Sequence, residues 1–293
     1  MPEESAIDHD AESLDIPLSS AGLTLVLRSV SKTSIRESRN LTIRGTGFPS
    51  KEEAYICGRR AKKALMLCGA RLRTGFDVGK DKATSGVGKV VKERAREMGI
   101  RLLDDVHGLS VFPEDMPVRF ISARARLTVS RPPTRFVEEF RKAYEMSPEF
   151  SDKQSLAVEL YSAAQFESSL RARFLTLVIA VECLSSQEEQ SQLVLDHVKE
   201  LMELTKSSFE GPEKGRILSR LGELTKESIS KSCKEFVARY LGPEAADLFN
   251  ECYDARGKIV HDGEPPEGFD LGSYANKLDE LVSQLLIAVV TSD

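Results

Sequence analysis

An arginine and a histidine five positions apart, Arg256 and His261, are the residues of this chain whose types and spacing best suit catalysis. They lie where a helix is predicted to end, because Gly263 suits a left-handed cap and Pro265 and Pro266 cannot continue a helix. The helix dipole favours a cation in the last turn, and a histidine there suits proton transfer. The planar guanidinium suits a phosphate and the charge that develops during phosphoryl transfer. The pair is therefore a candidate for RNA cleavage without a metal ion.

The spacing of Arg256 and His261 is unfavourable on one ideal helix. Five residues at about 100° each separate the two side chains by about 140° around the axis. Convergence then requires local unwinding of the helix end, or a two-fold dimer in which two copies of the helix face one cleft. In the alternative interpretation the pair is structural, and its side chains cap carbonyl groups or pair with Asp254, Asp262 or Glu182.

The elements before this segment predict an α+β domain over residues 21–145. Residues 1–20 are acidic and show no periodicity, which predicts a flexible tail. Apolar and β-branched content predicts strands at 23–28 and 41–44, and alternation predicts another at 118–129. Ser50, with a glutamate three positions later, is the start signal of a helix, and a second, basic helix is predicted at 87–98.

Residues 150–293 are predicted to form an all-α bundle. A proline pair at 132 and 133 places the domain boundary before residue 150, with a short helix bridging it. Between Leu170 and Leu184, apolar residues recur at steps of four, three, four and three, which predicts one buried helix face. Further helices are predicted at 190–206, 214–226, 230–241, 244–261 and 272–290.

A basic segment between residues 59 and 101 contrasts with the net charge of −5 of the chain. Such a cluster can supply the electrostatic footprint of a nucleic-acid site. A pair of solvated helix faces would look the same in sequence. The predicted nucleic-acid-binding residues are Arg59, Arg60, Lys62, Lys63, Arg71 and Arg73.

Several other classes of protein have little support. The five cysteines never form a Cys-x-x-Cys pair, so we expect core residues rather than disulfides or a zinc site. The histidines share no ligand spacing, and Gly86-Val-Gly-Lys89 lacks residues of a phosphate loop, so no metal or cofactor is expected. The longest apolar run is too short for a membrane span and the N-terminus lacks a secretory pattern, which predicts a cytoplasmic protein without a membrane partner.

Two segments resemble the HEPN superfamily, and most closely its Apea-like branch, over residues ~150–293. One is Arg171-Ala-Arg-Phe-Leu-Thr-Leu-Val-Ile-Ala-Val-Glu-Cys-Leu184, and the other is the Arg256-x4-His261 motif with its following glycine. The resemblance implies a homodimer, a composite cleft lined by Arg256 and His261 of both subunits, and metal-independent endoribonuclease or RNA-binding activity. It also implies a place in toxin–antitoxin or antiviral defence systems, with an antitoxin or another protein as a possible partner.

One position departs from the family pattern. Active members usually carry a polar residue directly after the motif arginine, where this chain has Gly257. Asp254 or Asp262 would have to substitute for it, with Glu182 as a further supporting carboxylate. The alternative function is a non-catalytic interaction or assembly module in which the Arg-x4-His segment is structural.

Overall fold

The computed structural model describes residues 5–18, 23–30, 32–38, 40–79, 93–94, 96–98, 101–103, 108–114, 118–120 and 129–292. In these ranges a small β region precedes a long succession of helices, which confirms the predicted order of an α+β region followed by a helical bundle.

Seven short strands are described. Three of them form an antiparallel sheet in the order β2-β3-β4, while β1 pairs with β7 and β5 pairs with β6, both in parallel. Leu25 and Leu27 are buried, whereas Thr24, Val26 and Arg28 between and around them are less buried, and the two leucines pack in a core shared with the first helix. The strands are β1 Ser5–Ile7, β2 Ser13–Pro17, β3 Thr24–Ser29, β4 Leu41–Arg44, β5 Arg101–Leu103, β6 Val118–Phe120 and β7 Val129–Arg131.

The prediction of a flexible tail over residues 1–20 was wrong for residues 5–18. Strand β2 pairs along its whole length with β3, and Ile16 is fully buried. Leu14, Ile16 and Leu18 alternate with polar residues or proline, which is the pattern of a strand with one buried face. The acidic residues around them lie on the exposed side, and their number makes the segment look like a polar tail.

Nine α-helices are described. Helix α1 begins as predicted, because the Ser50 side chain accepts a hydrogen bond from the Glu53 backbone N–H at 3.1 Å. The helices are α1 Lys51–Leu72, α2 Pro133–Met146, α3 Asp152–Phe166, α4 Leu170–Leu184, α5 Gln192–Ser208, α6 Gly211–Glu223, α7 Ile229–Leu241, α8 Pro243–Asp262 and α9 Leu271–Thr291.

Two hydrophobic cores meet along α1. One core holds the antiparallel sheet, α1 and α2, and includes Phe136 and Phe140. The other lies among α3, α4, α7, α8 and α9, and also receives Met66 and Ala70 from α1. Ile287 of α9 packs against the first core in return. The two regions predicted as separate domains are therefore joined by shared packing of α1 and α9.

Most predicted elements have close counterparts in the fold. The strand at 41–44 and the late helices are confirmed with ends within a few residues. The strand predicted over 118–129 is represented by β6 and by the start of β7, and residues 121–128 lie outside the described part. The basic helix at 87–98 and Gly86-Val-Gly-Lys89 lie largely or wholly outside it as well.

Helices α5 and α6 form a hairpin that contributes to neither core. No residue between Ser185 and Ser232, a stretch described throughout, belongs to either hydrophobic cluster. The two segments that join the hairpin to the bundle are paired with each other: Gln190 N–H donates to Thr225 O and Glu227 N–H donates to Glu188 O, both at 2.9 Å. Among the described helices, none combines the length and apolar composition of a membrane span.

Candidate active site at the end of helix α8

Helix α8 ends where the sequence predicted. Gly263 adopts φ 81°, and its N–H donates to Ile259 O at 3.1 Å, so glycine provides the left-handed cap. Phe249, Cys252 and Ala255 bury one face of α8 in the bundle core. The helix is regular from Pro243 to Asp262, so the unwinding that would bring the motif side chains together is absent.

Arg256 is half-buried and faces helix α4. Its Nη2 lies 3.5 Å from Glu182 Oε1, and its guanidinium lies 5.7 Å from the centre of the Tyr253 ring. The Glu182 side chain is 18% exposed, and its Oε1 has no hydrogen-bond donor among the described residues. Arg256 is thus the counter-charge that makes a carboxylate acceptable at this depth.

The negative charge of Glu182 also acts on its neighbours. Burial raises the pKa of the Tyr253 hydroxyl, and the carboxylate of Glu182 raises it further. The same two causes, burial first and Glu182 second, raise the pKa of the Cys183 thiol. Both groups therefore stay neutral at physiological pH and do not compete with Glu182 for Arg256.

His261 is exposed in the last turn of α8. The helix end beside it is fixed by Arg171 of α4, which donates from Nη1 to Gly263 O at 2.8 Å and pairs from Nη2 with Glu264 at 3.1 Å. This contact satisfies one of the carbonyl groups left free at a helix C-terminus. The backbone of His261 is thus held in place, while its imidazole ring remains open to solvent.

The supporting carboxylates separate into two groups. Glu182 contacts Arg256 directly, as the structural alternative anticipated. Asp254 is exposed and accepts a hydrogen bond from Asn250 Nδ2 at 3.4 Å, and Asp262 is exposed as the final residue of α8.

Gly257 leaves a free surface beside the pair. A Cβ built on it would meet no atom within 4 Å. Val260, one turn after Arg256 on the same face of α8, is 52% exposed. Ile179, one turn before Glu182 on α4, is 38% exposed. The Arg256–Glu182 pair thus borders a partly apolar surface on α4 and α8.

No family model, curated protein or solved structure matches this chain. The similarity to HEPN domains therefore remains a prediction that rests on residues 171–184 and the Arg256-x4-His261 motif.

The predicted nucleic-acid-binding residues of α1 are used mainly within the fold. Arg59 is exposed, and Lys62 is half-buried. The other four contact groups on later helices or loops, which reduces the positive charge that α1 offers to a ligand. These contacts join Arg60 to Tyr144 O at 2.7 Å and Glu145 O at 3.2 Å, Lys63 to Glu149, Arg71 to Glu139 at 3.2 Å, and Arg73 to Asp279 at 2.8 Å.

Asp279 of α9 is a buried carboxylate that was not predicted from the sequence. It is 2% exposed and lies 2.8 Å from Arg73 Nε, 2.5 Å from Gln165 Nε2 and 3.5 Å from Arg173 Nη2. Burial, followed by the charge of Asp279, raises the pKa of the nearby Tyr161 hydroxyl. The position could have been noticed, since Asp279 interrupts an apolar stripe of α9. That stripe contains Ala275, Val282, Leu286 and Val289.

The cysteines follow the predicted pattern in three of five cases. Cys68, Cys233 and Cys252 are buried, whereas Cys57 and Cys183 are half-buried. Burial raises the pKa of Cys252 to about 12, as expected of a thiol in the core. In the described ranges, no three His, Cys, Asp or Glu side chains are grouped as metal ligands would be.

Proposed function

We propose that this chain binds RNA and cleaves it without a metal ion, as an endoribonuclease of HEPN type, at a site formed by Arg256 and His261. The observation that supports the proposal best is the end of α8. It presents an exposed histidine at an anchored, glycine-capped helix terminus, and its arginine is 31% exposed and held in place by Glu182.

The chemistry follows from these two groups. His261 as base removes the proton of a ribose 2′-hydroxyl, whose oxygen attacks the adjacent phosphorus. The guanidinium of Arg256 binds the non-bridging oxygens and stabilises the charge of the pentacoordinate transition state. The bond to the 5′-oxygen breaks, and the proton that His261 took from the 2′-hydroxyl is given to this leaving group. The products are a 2′,3′-cyclic phosphate and a 5′-hydroxyl.

Because α8 is a regular helix, this reaction requires a second copy of the chain. Side chains about 140° apart on one helix do not converge on one phosphate. A two-fold dimer across α4 and α8 would place the arginine of one subunit opposite the histidine of the other, and would cover Ile179 and Val260. The open surface at Gly257 would let the two α8 helices approach closely.

The proposal is tested by incubating a mixed RNA pool with the purified protein in EDTA. We expect cleavage by the wild type, and losses of about 100-fold or more for His261→Ala and for Arg256→Ala, since each removes a group that acts in the transition state. His197→Ala is the matched control, because His197 is also an exposed helical histidine but lies on α5. An equal loss in the control, or no cleavage by folded wild type, contradicts the proposal.

A second candidate is a non-catalytic RNA-binding or assembly module. The ion pair of Arg256 with the half-buried Glu182 favours it, because this contact alone would explain the arginine as structural. Gel-shift binding of a non-cleavable 2′-deoxy oligonucleotide is measured beside the cleavage assay, because a nuclease also binds nucleic acid and only cleavage separates the two candidates. Retained RNA binding by folded wild type with no cleavage supports the module.

The resemblance further suggests a cytoplasmic role in toxin–antitoxin or antiviral defence, in which a partner protein restrains the nuclease. Expression in a bacterial host would test this. We expect growth arrest with the wild type and normal growth with His261→Ala at the same protein level. Normal growth with both would argue against toxicity.

A further inference from the structure

The α5–α6 hairpin has amphipathic helices without a matching core. Among residues 192–223, all of them described, only Val198 and Thr205 are buried, and both lie on α5. Helix α6 buries no residue and contains Gly215 and Gly222, each less favourable in a helix than alanine by about 1 kcal/mol. Short helices depend on packing of their apolar face, so this hairpin lacks much of the burial that would hold it.

An apolar groove with basic edges runs along α6. Ile217, Leu221 and Leu224 line this groove, which is a shallow, wide-open depression on the surface of α6, and Arg216, Arg220 and Glu223 flank it. The two arginine side chains are 76% and 81% exposed. Their ion pairs, with Glu213 and with Glu223 at the groove edge, are exposed contacts within one helix and bind the arginines weakly.

The outer face of α5 carries the complementary pattern. Leu193 and Leu204 are 81% and 61% exposed, and they lie three turns apart on the same side of the helix. Acidic residues follow this apolar stripe, namely Asp196, Glu200 and Glu203. Lys199 is the one cation that lines the same shallow surface. An apolar and acidic helix face thus lies in the same hairpin as an apolar and basic groove.

We propose that two copies of this chain associate through their hairpins, with α5 of each copy seated in the α6 groove of the other. Charge favours a second copy of this chain as the partner, because the acidic α5 face matches the basic α6 edges. A single two-fold axis relates the two contacts. The product is a four-helix assembly that covers Leu193 and Leu204 with Ile217, Leu221 and Leu224. This contact is separate from the α4–α8 surface.

Charge reversal tests the pairing. One full-length variant carries Glu200→Arg and Glu203→Arg, which makes both helices basic. The other carries Arg216→Glu and Arg220→Glu, which makes both helices acidic. Each variant alone should self-associate more weakly than the wild type by roughly a hundredfold or more, because like charges meet in both contacts.

An equimolar mixture of the two variants should restore the wild-type assembly, because each helix then meets a partner of opposite charge. The masses are measured by sedimentation velocity at low ionic strength, and circular dichroism checks that helix content is unchanged. A matched control reverses two exposed carboxylates on other helices, Glu138→Arg with Glu159→Arg, and should keep the wild-type mass. A wild type with the mass of one chain, variants with the wild-type mass, or a mixture that fails to assemble would each overturn the proposal. RNA cleavage is read separately, so its failure is distinguishable from failure of the hairpin contact.

Discussion

Replacing Asp279 by alanine should destabilise the protein more than any exposed ion-pair substitution. Asp279 is 2% exposed on α9, and its carboxylate accepts from Arg73 of the α1 cap and from Gln165 of α3. It also lies 3.5 Å from Arg173 of α4. The substitution removes the acceptor of two hydrogen bonds and the counter-charge of Arg173, and it leaves a buried cation behind.

The magnitude depends on which cation stays buried. The Arg73 side chain is 38% exposed and can be hydrated, so its lost pair costs little. The Arg173 side chain is 14% exposed, and its Nε already lacks a partner among the described residues, so it loses the counter-charge that offsets its desolvation. Breaking a buried pair on one side costs about 3 to 5 kcal/mol. With a urea slope of about 2 kcal/mol/M, the lower end of that range moves the midpoint down by about 1.5 M.

Urea unfolding followed by circular dichroism measures this loss. Glu280→Ala is the matched control, because Glu280 is the next residue, is 59% exposed and also pairs with Arg73, at 3.5 Å. We expect the control to change the free energy of unfolding by less than about 1 kcal/mol. Adding Arg173→Met to Asp279→Ala should recover part of the loss, since the uncompensated charge is then gone. Equal effects of Asp279→Ala and Glu280→Ala, or no recovery in the double variant, would refute the reasoning.

Three further predictions concern the end of α8 and the cysteines. Gly257→Ala should stabilise the monomer by roughly 0.5 to 1 kcal/mol and raise its Tm, because inside the helix the new methyl group meets no other part of its own chain; a lower Tm by calorimetry at a concentration where the chain is monomeric would contradict this. Gly263→Ala should destabilise it by about 1 kcal/mol, because φ is 81° there; an unchanged Tm would mean that the cap is dispensable. Glu182→Gln should speed alkylation of Cys183 at pH 8, because burial and the Glu182 charge both raise the pKa of that thiol, whereas Cys252 should stay unreactive in both proteins. Intact mass after iodoacetamide treatment measures both reactions, and an unchanged rate at Cys183 would show that burial alone controls its reactivity.

Much of the helical region was predictable because its signals are local. Apolar spacing in α4 and α9 and the glycine cap of α8 mark helices from neighbouring residues alone, and the structure places these elements within a few residues of the predicted ends. The β2 strand was missed although its signal was also local. Acidic composition outweighed the alternation of Leu14, Ile16 and Leu18.

The interactions between distant parts of the chain were beyond such reasoning. The basic residues of α1 looked like a nucleic-acid surface because sequence does not show which acceptors come near them. The fold brings Arg60 to Tyr144 and Arg73 to Asp279, so charge that seems free in sequence is used in packing. Within the site, the pairing of Arg256 with Glu182 was foreseen as one alternative, while the continuity of α8 removed the unwinding route.

Because α1 supplies Met66 and Ala70 to the bundle core, the helical half is not a self-contained unit. A fragment beginning near residue 150 would lose these side chains, and Ser283 Oγ would lose the Ala70 carbonyl to which it donates at 2.8 Å. Gene fusions that carried only the Arg-x4-His half would therefore expose apolar surface. Recombination is expected to preserve the two halves together, so that changes in the sheet are inherited with the segment that carries Arg256 and His261.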